Sequence, residues 1–107
     1  MFCAMAFGAA KPGQSEALVA AALDHAAALR RQPGCVAAYV LEERGTGTQV
    51  SVSIFQSEAD LARALEATRP VIAKHRLDEL TTGPHSFRLF DVRGNPDGGP
   101  VHPPSHS

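Results

Sequence analysis

The chain has 107 residues, 44% of them hydrophobic and 20% charged, with a formal net charge of −1. That suffices for one domain with a modest core, and it argues against nucleic-acid and anionic-membrane partners, which demand a basic stripe. No apolar run nears the ~20 residues of a membrane-spanning helix, and Cys3 and Cys35, far apart and without a C-x-x-C pair, read as reduced thiols of a cytoplasmic protein.

The opening "MFCAMAFGAAKPG" is apolar but has no basic n-region, so it predicts a first strand, Phe2 to Gly8, rather than a signal peptide. "KPGQSE" turns the chain: Pro12 sets φ, Gly13 relieves strain, and Ser15 or a neighbour is expected to cap a helix. That Ala-rich helix runs from Gln14 to Gln32 and stops at Pro33-Gly34. It carries two candidate apolar stripes, Leu18/Ala22/Leu29 and Val19/Leu23/Ala27, with His25 on the first. "CVAAYVLEE" is a second strand, and "RGTG" (residues 44–47) a hairpin connection. "TQVSVSIF" has the clearest alternation in the chain: Val50, Val52 and Ile54 share one face, and Gln49, Ser51, Ser53 and Phe55 the other.

Ser57 opens the next helix with Asp60 three residues on, a capping box with the shorter acid, and Leu61 and Leu65 lie on one face of it. Pro70 demands a break or a fresh helical start, so Pro70 to Leu80 forms a second helical piece, which carries His75. "TTGP" ends it, and "HSFRLFDV" is the last strand. From Arg93 the sequence "RGNPDGGPVHPPSHS" has little to bury and predicts a disordered tail, leaving residues 1–92 as the domain.

The order β-α-β-β-α-β is that of an α+β, ferredoxin-like fold with a four-stranded antiparallel sheet. Two helices cover one sheet face only, yet the first, second and last strands are apolar on both faces. An open apolar face that large is unusual in a monomer, so a homodimer with sheet packed on sheet is expected.

"KPGQSEALVAAA" after a first strand, "RRQPGCVAAYVLEE" entering a second and "VSIFQSEADLARAL" leaving a third resemble the antibiotic-biosynthesis monooxygenase superfamily, of dimeric α+β barrel fold, over Phe2 to Val92. One branch of it implies oxygenation of small electron-rich aromatics, of quinol or anthrone type, without metal, flavin or haem. The deprotonated substrate itself gives electrons to O₂, and no cofactor is implied. Phe55 stands where that branch often has Trp, and Ser51 where an Asn falls one turn earlier. The resemblance therefore implies Phe55 as a stacking wall and Ser51 as a hydrogen-bond donor, and the imidazole of His75 beside them is expected to serve as acid-base group or to stabilise an oxygen intermediate. A haem-degrading branch has a His at the position of His75, with an Asn and a Trp where Ala6 and Leu65 stand here.

On residue chemistry alone, His75 is open between a working and a packed histidine: imidazole titrates near neutral pH, but it also satisfies itself in helix cores. His25 reads as a boundary residue, and its neighbour Asp24 points ~100° away on the helix, so these two are not a catalytic pair. His85, after Gly83-Pro84, faces a pocket mouth or solvent. Tyr39, the only tyrosine, lies beside Ala37 and Ala38, which leave room for a ligand or for a partner's side chain. Scattered histidines without Cys or carboxylate at ligand spacing give no metal site. A non-catalytic ligand-binding or stress-response module of the same fold is the alternative to an oxygenase, and haem binding or degradation a third reading.

Overall fold

Long apolar or alternating segments become strands, and Ala-rich or capped segments become helices. The computed structural model describes residues 1–94, so the expected tail lies largely outside the described residues. The elements are β1 (Phe2–Ala10), α1 (Ser15–Arg30), β2 (Cys35–Glu42), β3 (Gln49–Phe55), α2 (Glu58–Ala67), α3 (Arg69–His75), α4 (Leu77–Leu80) and β4 (Thr81–Asp91). The strands form one antiparallel sheet in the order β2-β3-β1-β4, with β1 and β3 central. This is the expected α+β, ferredoxin-like order, with the helices on one face.

Three local expectations are corrected. Ser15 is the first residue of α1 and Gln14 its cap, without a side-chain bond, so Ser15 is one residue too late to cap. The stretch from Pro70 to Leu80 is two helices, because Arg76 takes a left-handed conformation at φ 50° and ends α3. "TTGP" is no separate turn but the bulged start of β4, where residues 83–85 oppose the single residue Gly8 of β1. Other expectations stand. Ser57 Oγ accepts from the Asp60 amide at 3.1 Å and caps α2, and Pro70 sits in the first turn of α3, where its missing N–H costs nothing.

The alternation of β3 is resolved in an informative sense. Register pairs Ser53 with Ala4 and Ala38, Ser51 with Ala6 and Val40, and Gln49 with Gly8. Ala4 and Phe55 pack with Leu29 of α1 and with Leu61 and Ala64 of α2 in the core. The helix-covered face of β3 is therefore the one with Gln49 and the two serines, and Val50, Val52 and Ile54 face away from the helices. On α1 the Leu18/Leu29 stripe is buried and Leu23 is exposed, which settles the choice between the two stripes.

The inner space divides along the strands. At the Phe2/Phe55 end a fully buried Phe55 fills the gap between sheet and helices. Toward the other end the facing residues are small: Ala6 and Gly8 on β1, Ser51 on β3, Ala21, Ala22 and Ala26 on α1. Helix and sheet backbones stand roughly 10 Å apart, and such side chains cannot bridge that distance. The hollow follows from composition.

Candidate functional site

The hollow is a cavity of about 240 Å³ between the inner sheet face, α1 and the α3–α4 region. Its wall is largely alanine, leucine and phenylalanine, interrupted by Gln49, Ser51, Ser53, Thr81 and three histidines, His25, His75 and His85. Each histidine comes from a different element, and each has one ring nitrogen tied.

His75, the last residue of α3, places Nε2 2.8 Å from Asp24 Oδ2 on α1. Asp24 accepts, so Nε2 carries the proton and Nδ1 of the neutral ring is left as proton acceptor. Lys74 Nζ lies 3.0 Å from the same oxygen. The His75 hydrogen bond and then Lys74 hold the Asp24 carboxyl below its ordinary value, so it stays charged and keeps the imidazole oriented. Sequence separation hides the pair: its members are 51 positions apart.

His25 is the next residue along α1 and points to a different side of the helix. Thr68, 2% exposed at the junction of α2 and α3, gives its hydroxyl proton to Ala64 O at 2.8 Å, so at 2.9 Å it accepts from His25 Nε2. That too leaves Nδ1 as the free acceptor. Burial pushes the His25 pKa down, which keeps the ring neutral. His25 is thus a cavity residue rather than the boundary residue that its place in the sequence suggests.

His85 rides on the β4 bulge. Thr81 Oγ1 donates to Leu77 O at 2.8 Å and accepts from His85 Nε2 at 3.1 Å. The His85 Nδ1 atom lies 3.3 Å from where a Cβ on Gly8 would stand, so the glycine makes room for the ring.

The other site expectations are placed as follows. Ser51 and its neighbour Ser53 line the cavity, and Ser53 is 7% exposed with no side-chain hydrogen bond among the described residues. Phe55 is 0% exposed, belongs to the packed core and does not line the cavity, so a stacking wall at this position is corrected to a core role. Tyr39 pairs with Val52 and is 58% exposed. Strand alternation sets its side chain on the open face, opposite to Ser53, although it contributes to the cavity boundary. Phe87 of β4, 53% exposed, borders the cavity instead. Neither Cys3 nor Cys35 lines it, and burial pushes both thiols up, away from nucleophilic thiolate. Among the described residues no group of three or more His, Cys, Asp or Glu is placed to hold a metal ion, and no helix is long and apolar enough to cross a membrane. Of the haem-branch positions, Ala6 and Leu65 line the cavity without a polar group, and His75 Nε2 is bound to Asp24. That set does not fit haem.

Comparison with known proteins follows the same line. A family model described as antibiotic biosynthesis monooxygenase matches residues 1–69. No curated protein matches the chain. Among solved structures, Rv0793 from Mycobacterium tuberculosis superposes with a TM-score of 0.76 at 20% identity, over 89% of this chain and 97% of that one. A Nitrosomonas europaea protein gives a TM-score of 0.78 at 16% identity, over 88% and 100%. A variant of SnoaB, a cofactor-independent oxygenase from Streptomyces nogalater, gives 0.72 at 23% identity, over 89% and 95%. These likenesses are likenesses of fold.

Proposed function

The chain belongs to the antibiotic biosynthesis monooxygenase family, and from that membership we propose that it is a cofactor-independent monooxygenase of a small, electron-rich aromatic of quinol or anthrone type. The observation that carries the reading is a charged Asp24 orienting His75 on the wall of a largely apolar cavity. An anthrone carries an acidic CH₂ and gains one oxygen from O₂ while the second leaves as water. The protein's task is to hold the ring, take the first proton and exclude bulk water.

In this reading His75 Nδ1 takes the proton, and Asp24 stabilises the imidazolium that results, the logic of an oriented His–carboxylate pair. The carbanion then passes an electron to O₂, and the carbon-bound peroxide that forms loses water. Ser51 and Ser53 supply hydroxyl donors to the oxygen that gains charge, and Phe87 offers a flat contact. Work in the cytoplasm, as a homodimer joined through the open sheet face, belongs to the same proposal. Its support is the Val50/Val52/Ile54 face turned from the helices, with Tyr39 and Leu41 exposed beside it.

The test is oxygen uptake with a panel of anthrones and dihydroquinones in chelator-treated buffer. Wild type consumes oxygen. His75→Ala loses more than tenfold, on the order of 1.4 kcal/mol or more of transition-state stabilisation, and Asp24→Asn loses activity with it. Wild-type uptake equal to buffer, together with tight binding of the same compounds, would instead make the chain a non-catalytic ligand-binding module.

A further inference from the structure

Helix cover ends between β1 and the second half of β4. Ala4 of β1 is 3% exposed, whereas its direct cross-strand partner, Leu89 of β4, is 47% exposed. The neighbouring pair repeats the contrast: Ala6 lines the cavity, and its partner Phe87 stands half in solvent. Residues directly opposite each other in an antiparallel pair share a face of the sheet. Phe87 and Leu89 are therefore on the helix side, away from the open face that carries Tyr39 and Leu41.

The strip they form is short and has polar ends. On the same side of β4 it is preceded by His85, whose ring lies over Gly8, and followed by Asp91, the partner of Phe2. Two half-exposed side chains offer on the order of 200 Å² between them, against the ~800 Å² per partner of a stable protein interface. A second protein chain has too little here to hold, but a single hydrocarbon chain has enough. The strip is also continuous with the cavity. Phe87 belongs to both, and Ala4 and Ala6 carry the cavity floor to the foot of Leu89 and Phe87.

We propose that this strip is a tail subsite: a ligand whose ring lies in the cavity carries an aliphatic substituent that leaves past Phe87 and lies along Phe87 and Leu89. The inference rests on the cavity being a ligand site, and it deepens the oxygenase reading by naming the substrate class, an alkyl-substituted aromatic. Two strand residues span roughly 7 Å, which a chain of about five or six methylenes covers. The driving force is removal of apolar surface from water on both partners.

The experiment measures calorimetric Kd under argon for 5-methyl-, 5-propyl-, 5-pentyl- and 5-heptylresorcinol on wild type, Leu89→Ser, Leu89→Thr and Leu41→Ser. A fully buried methylene is worth roughly fourfold in Kd, and one with a side left in water about twofold, so wild type is expected to gain about 16-fold from methyl to pentyl. Both Leu89 variants are expected to cut that gain below about threefold, and Leu41→Ser, on the opposite face, is expected to keep it. A wild-type Kd that does not change with chain length overturns the tail subsite while leaving the cavity as a site for bare rings. A gain retained in both Leu89 variants, or lost in Leu41→Ser, overturns it too, because the tail then lies elsewhere. If no homologue binds, the subsite and the ligand-site reading fall together. A gain that depends on Leu89 in a protein that consumes no oxygen upholds the subsite and places it in a non-catalytic module. Loss of fold in both Leu89 variants overturns it as well, since Leu89 would then be structural.

Discussion

His25 shows how a single side chain changes meaning between sequence and structure. In the sequence it shares a stripe with Leu18 and Leu29 yet reads as a boundary residue, and nothing there names Thr68 as its partner 43 residues away. Burial depresses its pKa from the ordinary 6.5. A histidine depressed in the folded state stays neutral there while the unfolded chain takes up a proton. Its contribution to stability is therefore complete above pH ~6.5 and is lost as pH falls from there toward the folded value. Urea midpoints measured across that window should fall more steeply for wild type than for His25→Gln, which keeps a donor for Thr68 but does not titrate. Identical slopes would show that the ring is not depressed. His75 was legible as a candidate from its place on the apolar side of a helical run, one turn after Val71 and Ile72. Its partner Asp24 was not, because only the packing of α3 on α1 brings them together. Phe55 was legible as an inward residue, but whether an inward aromatic fills a core or borders a hollow depends on the sizes of residues from four other segments.

Among the elements, the break between α3 and α4 was the hardest to read. Pro70 announces a start, and nothing after it announces a stop, since Arg76 is an ordinary helix former. A non-glycine residue in left-handed conformation costs roughly 1 kcal/mol, so the break is imposed by what lies around it. His75 is tied back to α1, and Thr81 is tied to Leu77 at the head of β4. Replacing Arg76 with Gly removes that local strain. Chemical denaturation should show Arg76→Gly more stable than wild type by up to about 1 kcal/mol, with an unchanged m value. A less stable variant would mean that the Arg76–Glu79 contact outweighs the strain. The first strand runs on to Ala10 and the last starts early, at Thr81, but β2 and β3 were legible to within one residue at each end. The β4 bulge was not: it is a register relation, visible only against β1.

For the whole molecule, the sheet is covered on one side and carries apolar side chains on the other. Tyr39, Leu41 and Phe90 are exposed there, at 58%, 49% and 42%, beside Val52 and Cys3, which their neighbours already shield. That face was legible from composition alone, as apolar residues too many for two helices to cover. Light scattering at micromolar concentration should give the mass of two chains. Tyr39→Asp combined with Leu41→Asp should give one chain with unchanged circular dichroism, because neither residue supports the monomer core. A wild-type monomer would sink sheet-to-sheet pairing.

The hollow beneath α1 has a further consequence. It is made by side chains that stop short, and nothing props it open, so the folded chain is a core with a piece left out. Whatever apolar molecule fits becomes that piece and tightens the protein as a buried side chain would. The same vacancy can be closed from within: lengthening an alanine of α1 exchanges ligand volume for packing, one methyl group at a time. Which guests this chain admits, and how firmly it holds together without them, are therefore one quantity set by the same few small residues.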